Sequence, residues 1–304
     1  MKVFISGVTG YIGSRLVPMF LAEGATVGGF SRSTHAVEGA DIHMANITRP
    51  LEHSLDHKYD VFIHLAAAND VDSSDPATAL SATALGTRYC LDFCKKNGIR
   101  KFIYFSTFQV LGKATGVLSE ETYPEPVNDY GITHLFAEEY VKMYHRTSGI
   151  DYLILRPTNI YGAPLNRGID RWSLVPNCFC REAAETGQIT LTSSGKQKRD
   201  FVNLSDLLNI TLLFTYDFEK YRNQLINVSS GNDFTILEIA EMVRSRYEHL
   251  YGKTCRIEIR SGKPEETNRY TMVRDKVLQT GYSFCSRNTI LEEIDAIFSI
   301  FNKN

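Results

Sequence analysis

Short apolar runs recur along the chain with room for a helix between each pair: Val3 to Ser6, Thr26 to Phe30, Val61 to Leu65, Phe102 to Ser106, Tyr152 to Arg156 and Leu225 to Val228. Helical patterns lie between them, the first placing Ile12, Leu16, Met19 and Phe20 on one face. Crossovers between parallel strands need a dozen or more residues and keep one hand, so this alternation predicts an α/β protein with a doubly wound parallel sheet and helices on both faces. The alternation breaks after Gly162, where loop-rich segments give way to a late helix from about Ile236 to Tyr251 and a strand near Ile257 to Ile259. Residues 1–162 and 201–230 are therefore assigned to the large domain, and residues 163–200 and 231–304 to a smaller C-terminal lobe.

The first strand runs into Gly7-Val8-Thr9-Gly10-Tyr11-Ile12-Gly13 and then into a helix. A pair of phosphates needs backbone N–H groups brought close with no Cβ in the way, at the positive end of a helix dipole, and glycines at this spacing provide both. A second strand arrives where a ribose-contacting residue should lie. The chain thus begins as a dinucleotide site, and the large domain is expected to be Rossmann-type.

The 304 residues are 43% hydrophobic and 22% charged, enough for one large core or a core plus a lobe. With a net charge of −2 and no long basic run, neither nucleic acid nor an anionic membrane is an evident partner. No stretch approaches the ~18 apolar residues of a membrane span, and the N-terminus lacks a signal-peptide layout. A cytoplasmic protein is expected. The six cysteines are scattered, reading as reduced thiols, and no ligand set stands at a metal-binding spacing, so no metal is expected.

Six further segments complete the pattern: Thr9 to Gly13, Val61 to Ala67 with Leu65, Ala66 and Ala67 at its end, Phe105-Ser106-Thr107, Tyr130-Gly131-Ile132-Thr133-His134, Leu155 to Gly162 including Pro157, and Arg199 to Val202. Together they resemble the extended short-chain dehydrogenase/reductases, the NAD-dependent epimerase/dehydratase group that acts mostly on nucleotide sugars. The resemblance covers nearly the whole chain. It implies that Tyr130 is the proton donor or acceptor and that Thr107 holds the substrate oxygen beside it.

Two positions depart from that family. Its Lys four residues after the Tyr is His134 here, and its usual Asn three residues before Gly86 is Thr83. In the family the Lys lowers the Tyr pKa by its charge and bonds the nicotinamide ribose. A phenol of pKa ~10 is about a thousandfold short of half ionisation at pH 7, a deficit of roughly 4 kcal/mol. His134 is one helical turn on, on the same face, and largely neutral at pH 7. Oxidising an alcohol needs a base, whereas a neutral phenol already carries the proton that reducing a ketone needs. Reduction should therefore survive the change better than full epimerisation, which requires both half-reactions. The competing reading is that His134 simply fills the site.

For the cofactor, NAD-selective relatives have an acidic residue at the end of the second strand, where this chain has Phe30-Ser31-Arg32-Ser33. Arg pairs with a 2′-phosphate, which favours NADP(H) and leaves NAD(H) possible; the other role for Arg32 is a solvated loop residue. Asn46 and Ile47 match the family's adenine-contacting pair. Asn159 and Arg199 match its grip on the nucleotide diphosphate, Lys263 its second cation, and Val175 the segment over the base. Arg199 could instead form an interlobe salt bridge. Phe108 and Gln109 stand where dehydratases carry an Asp-Glu pair, which argues against a 4,6-dehydratase.

Relatives commonly form homodimers through helices that here would include about residues 77–96 and 129–148, and Phe136, Tyr140, Met143 and Tyr144 could serve that face or the core. The function expected is NADPH-dependent reduction of a keto-sugar carried on a nucleotide. The alternatives are a nucleotide-sugar 4-epimerase and a catalytically weakened NAD(P)-binding sensor or subunit.

Overall fold

The computed structural model describes residues 1–32, 37–112, 115–260 and 270–302. Its strands are β1 (Lys2–Ser6), β2 (Thr26–Ser31), β3 (Ala40–Met44), β4 (Val61–His64), β5 (Lys101–Phe105), β6 (Gly116–Leu118), β7 (Asp151–Pro157), β8 (Asn159–Tyr161), β9 (Gln188–Leu191), β10 (Lys198–Asn203), β11 (Gln224–Val228), β12 (Asp233–Thr235), β13 (Arg256–Ile259) and β14 (Tyr270–Met272). The helices are α1 (Gly13–Ala22), α2 (Pro76–Ala79), α3 (Gly86–Lys96), α4 (Asp129–Ser148), α5 (Val175–Thr186), α6 (Leu204–Tyr216), α7 (Phe218–Tyr221), α8 (Ile236–Tyr251), α9 (Asp275–Leu278) and α10 (Thr289–Asn302). None of the described helices is long and apolar enough to cross a membrane.

The chain divides into two compact units, Met1–Lys113 with Glu120–Pro157 and Leu208–Asn227, and Ala114–Ser119 with Thr158–Leu207 and Val228–Asn304. The first is built on a seven-stranded parallel sheet of order β11-β7-β5-β4-β1-β2-β3. From β1 the chain moves outward through β2 and β3, then returns to lay β4 on the other side of β1. That reversal opens a crevice at the carboxyl ends of β1 and β4, where ligands of such sheets bind.

All six apolar runs are strands of this sheet. The seventh, β3, has the sequence Ala-Asp-Ile-His-Met and no apolar signature, because it is an edge strand without a fully buried residue that holds its place by pairing with β2. The expected helix over residues 77–96 is broken: a π-helical turn, Leu80–Leu85, separates α2 from α3.

Period-two geometry decides what faces α3 and α4. Phe4, Phe62 and Phe102 are in register across β1, β4 and β5 and stack, with centroid separations of 5.5 and 5.3 Å. Two residues on, the same face presents Ser6, His64 and Tyr104, also in register. An aromatic row is thus followed by a buried polar row. Beyond it, Ser106 and Arg156 reach Glu138 of α4: Ser106 Oγ donates to Oε1 at 2.6 Å, and the guanidinium takes both carboxylate oxygens at 2.8 and 2.7 Å. The two charged side chains are 3% and 0% exposed, so neither has water to fall back on.

The second unit carries the three-stranded sheet β12-β10-β8. Its core gathers Phe179 and Ala183 of α5, Ile239 and Val243 of α8, and Ile294 and Phe298 of α10. Thr235 and Glu238 close a capping box on α8, and Arg246 on that helix forms a two-pronged pair with Asp295 of α10 at 2.7 and 2.5 Å.

Truncating Glu138→Ala leaves the Arg156 charge buried and unpaired, and should lower unfolding free energy by about 3–5 kcal/mol in urea titrations. A loss below 1 kcal/mol would mean that water reaches the guanidinium.

Candidate active site

The glycine turn at the end of β1 shows why each glycine is there. Gly7 has φ +75°, and a Cβ on it would sit 3.1 Å from the Ala66 backbone nitrogen, so this position brings the end of β1 against the end of β4. A Cβ on Gly13 would collide with the Gly7 carbonyl and Val8, so this glycine packs α1 onto the turn. On Gly10 it would meet only the Gly7 carbonyl oxygen, at 3.1 Å. That side of the turn is open to a ligand. Ile12 gives α1 no side-chain cap, and the first turn holds no acidic residue. The Ser14 and Arg15 N–H groups bond to the Gly10 and Ile12 carbonyls, so an anion at this helix start would meet the amides before them.

The neighbouring candidates fall into small groups. Thr9 Oγ1 and Ser31 Oγ lie 3.1 Å apart, while Arg32 is exposed. Tyr11 is buried and Ile12 half-buried. Asn46 turns its Oδ1 onto the Thr48 amide and hydroxyl at 3.1 and 3.0 Å, and Ile47 packs against Gly86. Leu65 and Ala66 donate their N–H groups to Ser6 Oγ at 3.2 and 3.4 Å; Ala67 is half-buried. Next in sequence, the Ala68 N–H donates to Thr83 Oγ1 at 3.2 Å, so the hydroxyl at the family's Asn position secures the chain that leaves β4.

Thr107 and Tyr130 are held by a shared joint. Thr107 Oγ1 accepts from the Gln109 N–H at 3.2 Å, capping the short turn Phe108–Leu111 and leaving its O–H hydrogen. Asn128 caps α4 through the Gly131 N–H at 2.8 Å and also donates to Gln109 Oε1 at 3.2 Å. A Cβ on Gly131 would come within 2.7 Å of the Gln109 carbonyl, so only glycine lets α4 start this close to the Thr107 turn. Tyr130 is the second residue of α4 and half-buried, and Pro157 ends β7 in the core.

His134 follows Tyr130 by one turn, its ring edge-on to the phenol with centroids 4.7 Å apart. It is 3% exposed, and Nδ1 lies 2.6 Å from the Tyr104 hydroxyl. Burial drives its pKa down to about 3, so this imidazole is neutral at physiological pH. Nε2 is buried with no hydrogen-bond partner among the described residues. His64, one row across, is also held at about 3, by burial first and His134 second.

Sequence reading passed over His64, Tyr104, Thr87, Glu138 and Arg156. The available signal was one polar residue two places after an aromatic in successive apolar strands, and an acid eight residues after Tyr130 on the same helix.

In the second unit, Asn159 Nδ2 donates to the Asp200 carbonyl at 2.9 Å, beside Arg199 on the adjacent strand. Arg199 is half-buried. Val175 begins α5, and Lys263 lies outside the described residues.

A family model for the NAD dependent epimerase/dehydratase family matches residues 3–229. The chain belongs to that family. The uncharacterized UDP-glucose epimerase YtcB of Bacillus subtilis is 25% identical over 88% of this chain and 88% of its own. The GDP-6-deoxy-D-talose 4-dehydrogenase of Aggregatibacter actinomycetemcomitans is 25% identical over 97% of both chains. Among solved structures, UDP-glucuronic acid 4-epimerase from Bacillus cereus in complex with NAD superposes with a TM-score of 0.82 at 22% identity, covering 100% of this chain and 97% of that one. This last likeness carries the Rossmann-type fold.

Both buried histidines have folded pKa values near 3 against an ordinary 6.5, so the unfolded chain binds more protons between those limits. Their contribution to stability is complete above about pH 6.5 and is lost as pH falls toward 3. The thermal midpoint should drop as pH falls from 7 to 4, and His134→Gln should shallow that dependence by up to about one proton. An unchanged slope would show that His134 is not held neutral.

Proposed function

We propose that the protein is an oxidoreductase acting on a nucleotide-activated sugar, reducing a keto-sugar with NADPH. The observation that carries this reading is the buried, neutral His134 beside Tyr130. No cation at that position stabilises a phenolate, and an ordinary phenol of pKa about 10 keeps its proton at pH 7. Tyr130 then serves as an acid, which suits carbonyl reduction.

The residues fit a dinucleotide, since Gly10 opens the turn and His134 Nε2 is a buried polar atom in want of a partner. Gly7, Thr9, Gly10, Tyr11, Ile12 and Gly13 would receive the pyrophosphate, Asn46 and Ile47 the adenine, and Leu65, Ala66 and Ala67 the central part. Tyr130, His134 and Pro157 would border the nicotinamide end. The bound cofactor supplies the hydride. Tyr130 gives its proton to the sugar oxygen, which Thr107 holds with its remaining O–H hydrogen. Asn159 and Arg199 would take the nucleotide diphosphate and Val175 would lie over its base, following the family pattern, and Lys263 would add a cation.

For the cofactor's identity, β2 ends in Ser31-Arg32 without a carboxylate, which favours a 2′-phosphate. The NAD bound to the Bacillus cereus relative supports NAD(H) as the other candidate.

A second reading, a UDP-sugar 4-epimerase, is favoured by what several relatives are. It differs in stoichiometry: epimerisation returns its cofactor unchanged, whereas reduction consumes one NADPH per sugar. A third reading, a cofactor-binding sensor or subunit, rests on Thr83 and His134.

The purified protein, offered nucleotide-linked keto-sugars, should oxidise NADPH faster than NADH. Tyr130→Phe should cut turnover by about 10²–10⁴-fold with cofactor binding intact. His134→Lys should speed alcohol oxidation at pH 7 at least about tenfold by restoring the charge. Rapid epimerisation by the unmodified protein without NADPH consumption would refute the reductase, and a revertant that binds NADPH yet does no chemistry would favour the sensor.

We also propose a homodimer, cytoplasmic as the sequence reading expects. Phe136 is 45% exposed, and with Leu80, Leu85, Tyr140 and Met143 it lines an open apolar groove of about 540 Å³, whereas Tyr144 is buried in the core. Phe136→Glu should shift sedimentation from dimer to monomer, and an unchanged dimer would place the interface elsewhere.

A further inference from the structure

The polar row under α3 and α4 contains two hydroxyl-to-imidazole contacts of the same form. Ser6 Oγ and His64 Nδ1 are 2.6 Å apart, as are the Tyr104 hydroxyl and His134 Nδ1. An O–H donor makes shorter bonds than an N–H donor, which favours hydrogen on oxygen with Nδ1 accepting in both contacts. For His64 the rest of the chain agrees. Its Nε2 is 3.0 Å from Thr87 Oγ1, an N–H donor distance, and Thr87 in turn donates to the Thr83 carbonyl at 2.7 Å. Ser6 remains free to accept the Leu65 and Ala66 N–H groups.

His134 repeats the first half of this arrangement and lacks the second. Tyr104 is 1% exposed and burial holds its phenol well above the ordinary pKa, so it stays a donor. The Thr87 hydroxyl also bonds that phenol; its own hydrogen goes to the Thr83 carbonyl, and one of its two lone pairs takes the His64 hydrogen. With Nδ1 accepting, a neutral imidazole carries its one hydrogen on Nε2, the atom left buried and unpartnered. Such a donor loses free energy until a ligand oxygen meets it.

We infer that Tyr104 is a positioning residue: its phenol donates to His134 Nδ1, fixing the Nε2–H tautomer, so that His134 serves as a neutral hydrogen-bond donor to a hydroxyl of the bound dinucleotide. This rests on the dinucleotide reading of the site and adds what the imidazole does there. His134 replaces the family's ammonium as a donor and not as a charge, and it has no lone pair with which to take the Tyr130 proton. Without the Tyr104 hydroxyl the imidazole is free to adopt the other tautomer, and Nε2 becomes an acceptor.

The direct test is ¹⁵N NMR of the ligand-free protein labelled at histidine. His134 should show an unprotonated Nδ1 and a protonated Nε2; the reverse assignment overturns the proposal whether or not any substrate is ever found. Tyr104→Phe should mix the two tautomers and weaken NADPH binding, measured calorimetrically, at least fivefold, with Tyr130-dependent kcat falling less than KM rises. Wild-type affinity in this variant would overturn the role. If the NMR result holds while no keto-sugar is reduced, the proposed activity fails and the tautomer assignment stands.

Discussion

The position of α4 depends on one interaction, the sealed pair between Glu138 and Arg156. A carboxylate and a guanidinium without water are tolerable when they bond each other, and here Nε and Nη2 of Arg156 take both oxygens of Glu138 while Ser106 adds a third bond, with Nη1 alone left buried without a partner among the described residues. Arg156 lies near the end of β7 and Ser106 just beyond β5, so the pair fixes the helix against two neighbouring strands at once. Tyr130, His134 and Glu138 follow one another at four-residue intervals, on one face of α4. Anchoring the third of them sets where the first two point.

The same row of buried polar groups explains the character of the site. Each strand of the sheet's centre delivers an aromatic ring and then, two residues on, a hydrogen-bonding side chain, because side chains alternate across a pleat. Phe4 and Ser6, Phe62 and His64, and Phe102 and Tyr104 form that double row. A lysine at position 134 would bring a charge into it. The imidazole brings none, since complete burial favours its neutral form and Tyr104 supplies the bond it needs.

Much of this was legible in the sequence. The parallel sheet and the glycine turn followed from periodicity and motif, since a fully buried strand must write its surroundings into its residues, and the helix over 129–148 followed from the family resemblance. The edge strand β3 was not legible, because an open edge asks little of side chains. Nor was the π-helical turn at Leu80–Leu85, where a tertiary arrangement interrupts what local propensity reads as one helix.

By itself the sequence determined which groups exist: a tyrosine with histidine where the family has lysine, a threonine in place of asparagine, no acid at the end of β2. Only the tertiary structure decided their states. Whether an imidazole is charged depends on the water around it, and which of its nitrogens holds the hydrogen depends on a partner thirty residues away at Tyr104. Both are properties of neighbours in space, brought to His134 by strand register and by the docking of α4; along the chain only the ordinary, largely neutral imidazole is legible, and not the burial that fixes it or the nitrogen that holds the hydrogen.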